Sequence, residues 1–132
     1  MAAPRLRGQT SGMAKSHEFG TRCESAAVRH LVGRGWRILA RNYRFGHREI
    51  DVIARSGDVV AFIEVKGRTG RGYGHPLEAV DARKRREIER VAHQWVSRFG
   101  RSGESYRFDA IAVTLDGRGD LVVDHVTDAW RT

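Results

Sequence analysis

Two acidic residues and a lysine on adjoining β-prone runs are the part of this sequence best suited to chemistry. Asp51 lies in the first run, residues 49–54, while Glu64 and Lys66 close the second run, residues 59–66. Two carboxylates that converge beside a lysine can hold a hard divalent cation such as Mg²⁺ or Mn²⁺, which takes its remaining ligands from water and a substrate phosphate. The pattern therefore predicts a site for a divalent metal.

The turn between the two runs determines which side chains face each other. Residues 55–58 (Arg-Ser-Gly-Asp) form a tight-turn sequence, and we expect a two-residue loop with glycine at its first position. This register places Asp51 opposite Glu64 and Glu49 opposite Lys66, all on one face, because side chains alternate along a strand. Facing Cβ atoms lie about 4.5–5.5 Å apart, where two like charges destabilise a sheet. Such a pair favours a functional interpretation.

The other face of this hairpin is predicted to be apolar along its whole length, with Ile50, Val52, Ala54, Val59, Ala61, Ile63 and Val65. On the charged face, Ile53 is expected opposite Phe62, so the charged cluster lies at the open end of a partly apolar surface. The alternative interpretation is a solvated hairpin in which Glu49 and Lys66 form a surface ion pair of little energetic value.

Elements with helical and extended periodicity surround the hairpin. A first helix is predicted from about Glu18 to the glycines at 33 and 35, followed by a strand over residues 36–45. After the glycine-rich loop 67–74, an amphipathic helix is predicted over residues 76–99. Its apolar stripe comprises Leu77, Val80, Ile88, Val91 and Trp95, and its basic face comprises Arg83, Arg86 and Arg90.

Two further strands are predicted over residues 106–115 and 121–126. The resulting order α-β-β-β-α-β-β predicts an α/β fold with a mixed central sheet flanked by a helix on each face. Residues 1–17 lack periodicity and are rich in small residues and arginine, so we expect a flexible basic tail followed by one domain over residues 18–132.

The charge balance favours a polyanionic partner. The chain has 24 Lys and Arg against 16 Asp and Glu, a formal charge of +8, which attracts DNA, RNA or an anionic membrane surface. No run approaches the roughly 20 apolar residues of a membrane span, and the N-terminus lacks the apolar core of a signal peptide. We therefore expect a cytoplasmic protein that does not enter the membrane. Cys23 has no second cysteine with which to form a disulfide.

Several segments carry a resemblance to a known family. Asp51 followed by Glu64-Val65-Lys66 resembles the Asp…(Asp/Glu)-x-Lys core of the restriction-endonuclease-like nuclease superfamily. Within it, Arg41-Asn42-Tyr43-Arg44, Glu49-Ile50-Asp51-Val52-Ile53-Ala54 and Ile63-Glu64-Val65-Lys66-Gly67-Arg68 are similar to the YraN-like family of small bacterial proteins. The core of that family is similar to the archaeal Holliday-junction resolvases. The resemblance extends over residues 19–113 and implies a restriction-endonuclease-like core.

The resemblance also implies roles for particular residues. Asp51, Glu64 and the carbonyl of Val65 would hold the metal, and Lys66 would orient the attacking water or neutralise charge on the phosphate. A glycine and a glutamate on the first helix of the family match Gly20 and Glu24, so that Glu24 would complete the metal shell. The family's lysine early in the second helix matches Lys84, which is expected to point toward the sheet, and its Arg-Phe-Asp motif in the fourth strand matches residues 107–109.

The implied reaction is metal-dependent hydrolysis of a phosphodiester, by an endonuclease that acts on branched or junction DNA in repair or recombination. The phosphates would be held, without reading of the bases, by Arg68, Arg71, Arg83, Lys84, Arg86 and Arg90. Two family positions differ here: Arg48 replaces a usual glycine, and Gly67 replaces a usual threonine. The alternatives are a non-catalytic nucleic-acid-binding module on this fold, or a structural partner in a DNA-processing assembly. A homodimer is expected by analogy with the resolvases.

Overall fold

The computed structural model describes residues 12–70 and 80–132, with side chains from residue 17 onward. In chain order the elements are α1 (Gly12–Gly33), β1 (Arg37–Phe45), β2 (Arg48–Ser56), β3 (Val59–Thr69), α2 (Ala82–Phe99), β4 (Ser105–Leu115) and β5 (Leu121–Trp130). The predicted order α-β-β-β-α-β-β is confirmed. Neither described helix is long and apolar enough to cross a membrane.

The five strands form a single mixed sheet whose spatial order follows the chain, β1-β2-β3-β4-β5. β3 and β4 are parallel, and the other neighbours are antiparallel. A parallel pair requires a crossover connection, which α2 provides between β3 and β4. β3 is therefore a central strand covered on both faces, and this explains its uninterrupted apolar run over residues 60–63.

Each helix buries one face of the sheet. Under α2, the buried cluster includes Ile50, Ile53, Val60, Phe62, Ile88, Val91 and Trp95. Under α1, the cluster includes Cys23, Ala27, Leu31, Val52, Ala54, Ala61, Ile63, Ile111 and Val113. Alternation along β3 thus sends neighbouring residues to opposite layers. The predicted continuous apolar face needs one correction: Ile50 packs with Ile53 under α2 and not with Val52, because the alternation is interrupted at Asp51.

α1 begins earlier than predicted. The helix extends back to Gly12, so residues 12–17 are helical and do not belong to the predicted flexible tail. Met13, Ala14 and Lys15 are among the best helix formers, and this local preference extends the helix through a segment that lacks apolar periodicity. The rest of that tail lies outside the described residues.

α2 begins later than predicted. The Asp81 carboxylate accepts a hydrogen bond from the main-chain N–H of Lys84 at 2.9 Å, and the helix proper starts at Ala82. An aspartate that satisfies an otherwise unpaired N–H is a strong helix start, and it outweighs the apolar spacing that predicts a start at residue 76. Val80 is buried as predicted but precedes the helix. Leu77 lies outside the described residues.

β4 and β5 are joined by a buried carboxylate, Asp109. It accepts two hydrogen bonds from Arg107 (2.9 and 3.1 Å), one from His125 Nε2 (2.8 Å) and one from the main-chain N–H of Asp128 (2.9 Å). Asp128 has a left-handed backbone (φ 53), and the register shifts in this region. The last strand consequently continues through a bulge to Trp130, past its predicted end at residue 126.

Gly67 allows the close approach of α1 to β3, and this generates a stability prediction. A Cβ at this position would lie 2.7 Å from Cys23 Sγ and 2.8 Å from Phe19 Cε2. Gly67→Ala should lower the free energy of unfolding by about 1–3 kcal/mol, because the helix must move away from the sheet. Urea unfolding measures the change. Gly117→Ala, where a Cβ meets nothing within 4 Å, is the control and should change stability by less than about 0.5 kcal/mol. Equal effects at both positions would contradict this packing.

Asp109 predicts a dependence of stability on pH. Burial alone would raise the pKa of this carboxyl, but the hydrogen bonds from His125, Arg107 and Asp128 outweigh burial and lower it below 3.8. A lowered pKa in the folded state means that the stabilisation is present above about pH 4 and is lost as the pH falls through the folded value. Asp109→Asn should therefore cost about 3 kcal/mol or more at neutral pH and weaken the acid dependence of unfolding.

Urea unfolding of wild type and Asp109→Asn across the acid range measures both effects. Asp124→Asn, at an exposed position of β5, is the matched control and should keep the wild-type profile. An unchanged acid slope in Asp109→Asn would show that the buried carboxylate does not govern acid stability.

Candidate active site

The two carboxylates lie where the β2–β3 ladder ends. The predicted register is confirmed from the turn as far as the pair Val52 and Ile63. Asp51 and Glu64, predicted as the next facing pair, lie just beyond this ladder. The Asp51 carboxylate instead accepts a hydrogen bond from the main-chain N–H of Val65 at 2.8 Å. In a continued ladder, a main-chain carbonyl would accept from such an N–H group. Here the carboxylate of Asp51 takes the place of that carbonyl.

β1 is also interrupted beside Asp51. Asn42 lies across from it in the register, between the pairs Arg41–Val52 and Tyr43–Ile50, but forms no pair in the described ladder. Its backbone is left-handed, with φ 50, a conformation that asparagine tolerates better than most residues. The sheet is thus irregular on both sides of Asp51. This irregularity explains why the neighbouring residue in β2, Ile50, packs under α2 and not on the same face as Val52.

Glu64 is a largely buried acid with an unusual environment. Its side chain is 12% exposed, Oε2 lies 3.7 Å from Lys84 Nζ, and Oε1 is buried without a hydrogen-bond partner among the described residues. Burial, followed by repulsion from Asp51, raises the pKa of Glu64 to about 8 despite the attraction of Lys84. A buried acceptor without a donor is costly, and a cation at this position would remove that cost.

Asp51 has a raised pKa as well. Burial is the main cause, opposed by the hydrogen bond from Val65, by a hydrogen bond with the Glu64 carboxyl and by the charge of Lys84. Two neighbouring carboxyls that both resist ionisation form a site that a divalent cation would stabilise strongly. Asp51 and Glu64 therefore fit a hard cation by donor type, burial and charge.

Glu24 approaches the pair from α1. Its Oε1 accepts a hydrogen bond from Asn42 Nδ2 at 2.9 Å, and its pKa is raised by burial and then by Asp51. Among the described side chains, however, no three Asp, Glu, His or Cys residues are grouped so as to hold a metal ion. The role of Glu24 as a third ligand stays a prediction.

The two lysines occupy different positions. Lys84, at the start of α2, points toward the sheet as predicted and reaches Glu64. Lys66 is exposed, and its charge acts on Glu64 from the solvent side. Glu49, expected opposite Lys66, forms an ion pair with Arg44 at 3.2 Å instead. The solvated-hairpin alternative therefore lacks the surface pair on which it depended.

The arginines predicted to hold phosphates are spread over several surfaces. Arg83, Arg86 and Arg90 are exposed on α2, and Arg83 pairs with Glu87 at 3.3 Å. Arg68 is partly buried on β3, and Arg71 lies outside the described residues. Of these predicted phosphate-binding residues, Lys84 is the one whose contact with the carboxylate pair is described, through Glu64.

Asn42 is the residue of this site that the sequence-based analysis missed. It occurs in a β-prone run, and asparagine is depleted in strands, so its presence was a signal of irregular backbone. The role of Asp109 was open from sequence. Its partners Arg107, His125 and Asp128 give it a structural role in the sheet.

Comparison with known proteins gives one consistent result. Residues 23–113 match the model of a family described as "Uncharacterised protein family UPF0102". The chain is 39% identical over 118 residues to the UPF0102 protein of Rhodococcus jostii (strain RHA1), covering 89% of this chain and 100% of the relative. It is 47% identical over 117 residues to the UPF0102 protein of Chlorobaculum tepidum, covering 85% of this chain and 91% of the relative. It is 46% identical over 116 residues to the UPF0102 protein of Symbiobacterium thermophilum, covering 88% of this chain and 98% of the relative. These relatives confirm the family inferred from the motifs.

The carboxylate pair predicts a stabilising substitution. A raised carboxyl pKa in the folded state means that stability is fully present below the ordinary value of 4.5 and is lost as the pH rises toward 8. Without metal, Glu64→Gln should therefore be more stable than wild type at pH 8.5 by about 1–3 kcal/mol and similar to it near pH 5. Urea unfolding in chelator measures this. Glu18→Gln, at an exposed position of α1, should have no effect. A Glu64→Gln protein less stable than wild type at both pH values would show that the pair does not repel.

Proposed function

The chain belongs to the uncharacterised protein family UPF0102, and we propose that it hydrolyses phosphodiester bonds in DNA with Mg²⁺ or Mn²⁺ held by Asp51 and Glu64. The observation that carries this proposal is the buried Glu64 Oε1, which has no hydrogen-bond partner among the described residues and lies next to a second, largely buried carboxylate. Such a pair destabilises the protein by itself, so a bound cation provides its physical rationale.

Each residue of the site has a distinct task in this proposal. Asp51 and Glu64 would hold the metal, whose charge would make a bound water more acidic and would offset charge on the phosphate. The hydrogen bond from the Val65 N–H fixes one oxygen of Asp51. The main-chain carbonyl of Val65 would add a further oxygen ligand. Lys84 holds Glu64 in place, while the exposed ammonium of Lys66 orients the water or neutralises charge that develops on the phosphate oxygens. Glu24 would tune the site through its repulsion with Asp51.

The proposed substrate is recognised through its backbone. Arg68, Arg71, Arg83, Arg86 and Arg90 would bind phosphates irrespective of sequence, and the overall charge of +8 attracts DNA from a distance. Selection would then depend on the shape of the DNA, as in branched or junction substrates of repair and recombination in the cytoplasm. A two-fold dimer would present two such sites to two strands.

A second candidate function is a nucleic-acid-binding module on a nuclease fold, without hydrolysis, in a DNA-processing assembly. The observation that favours it is the lack of a third acidic, histidine or cysteine ligand grouped with the pair among the described residues. Against it, Asp51, Glu64 and Lys66 all keep the side chains that hydrolysis needs.

Cleavage assays distinguish the two functions. Wild type should cut a labelled four-way junction or flap with Mg²⁺ or Mn²⁺ and not in chelator. Asp51→Asn and Glu64→Gln should reduce the rate by about 100-fold or more, because each removes a metal ligand.

Asp124→Asn, an exposed carboxylate of β5, is the matched control and should cut at the wild-type rate. DNA binding without cleavage, unchanged by either substitution in the pair, would exclude hydrolysis and support the binding module.

A further inference from the structure

An exposed aromatic ring lies beside the basic face of α2. Phe45, at the end of β1, is 50% exposed. It borders an open groove of about 700 Å³ whose walls include Arg86, Arg90, His93 and Arg98. An apolar ring exposed to this extent among cationic groups needs a physical account, because burying it in the neighbouring core would have been favourable.

The position of Phe45 is set by its neighbour in β1. The Tyr43 hydroxyl donates a hydrogen bond to Gln94 Oε1 at 2.5 Å, and its ring packs edge-to-face against Phe99, with centroids 6.3 Å apart. Residues two apart in a strand share a face, so Phe45 also projects on the α2 side. The end of β1 is thus held against α2, and this places the Phe45 ring at the edge of the groove.

The groove combines two kinds of recognition. The described residues that line it include three arginines and one carboxylate, Glu89, so the charge suits a polyanion. The Phe45 ring offers a flat apolar surface, and stacking on an aromatic ring is how proteins bind unpaired bases without regard to sequence. In an intact duplex the bases are stacked inside and are not available to this ring. The combination therefore suits a single strand better than a duplex.

The groove also lies close to the carboxylate pair along the chain. Lys84, which contacts Glu64, is on the first turn of α2, and Arg86 follows two residues later. At a rise of about 1.5 Å per residue, the stretch from Arg86 to Arg98 is about 18 Å long. The groove thus begins close in sequence to the residue that contacts Glu64 and follows α2 toward its C-terminal end.

We infer that this groove binds an unpaired DNA strand with a base stacked on Phe45, so that the preferred ligand is a duplex carrying a single-stranded branch. The identification of this ligand as a substrate rests on the proposed hydrolysis. The binding of the strand does not, since it uses none of the residues assigned to the metal.

Fluorescence anisotropy in chelator tests this inference without cleavage. The probes are an oligothymidylate, a blunt duplex, and the same duplex with an oligothymidylate tail. Wild type should bind the tailed duplex more tightly than the blunt one. Phe45→Leu should weaken binding of the tailed duplex and the oligothymidylate about 5- to 100-fold, the range for loss of one stacked base. Binding of the blunt duplex should change less than about twofold, since it offers no base to the ring.

Val122→Ala is the control, because Val122 is a comparably exposed apolar side chain, 47% exposed, that lies on β5 and does not line the groove. It should leave all three affinities unchanged. Equal losses on blunt and tailed duplexes, no loss with Phe45→Leu, or tighter binding of an oligouridylate than of the oligothymidylate would overturn the inference. Phe45-dependent binding of tailed DNA by a protein that cuts nothing would support this inference and overturn the proposed hydrolysis.

Discussion

The hydrogen bond from Val65 N–H to the Asp51 carboxylate joins the sheet to the candidate site. An acidic side chain takes a main-chain donor between two central strands, so the ladder ends there and Asp51 becomes part of the backbone hydrogen bonding. The opposing residue in β1, Asn42, leaves the ladder as well. The same interruption turns Ile50 toward α2 and allows Glu64 to lie beside Asp51 while remaining buried.

The pair of neighbouring carboxyls lowers the stability of the fold, and interactions elsewhere in the protein compensate for this loss. Two buried carboxyls with raised pKa values oppose folding at neutral pH. The hydrophobic layers under α1 and α2 supply the main stabilisation. Asp109 shows the contrasting case of a buried carboxylate: its donors come from Arg107, His125 and Asp128, and its pKa is lowered. The number of donors that reach each carboxylate explains why one stabilises the sheet while the pair does not.

Much of the fold followed from local pattern. The turn over residues 55–58 has a preferred geometry, so the hairpin register was predictable from Gly57 and the alternation on either side. The position of Lys84 followed from helical periodicity and the motif. The predicted start of α2 was wrong because the capping hydrogen bond at Asp81, and not the apolar pattern before it, sets where the helix begins. The predicted end of β5 was wrong because the strand continues through a bulge. That bulge is held by Asp109, which is far from it in the chain.

The sequence by itself determined the family and the element order, and it predicted Asp51, Glu64 and Lys66 as the candidate site, because alternation, turn chemistry and motif spacing are local properties. Only the tertiary structure decided how deeply the carboxylates are buried, which donors reach them, and that Asn42 hydrogen-bonds to Glu24. It also placed Phe45 beside the basic face of α2. Burial and charge environment depend on contacts between distant segments, and the pKa values of Asp51 and Glu64 follow from those contacts.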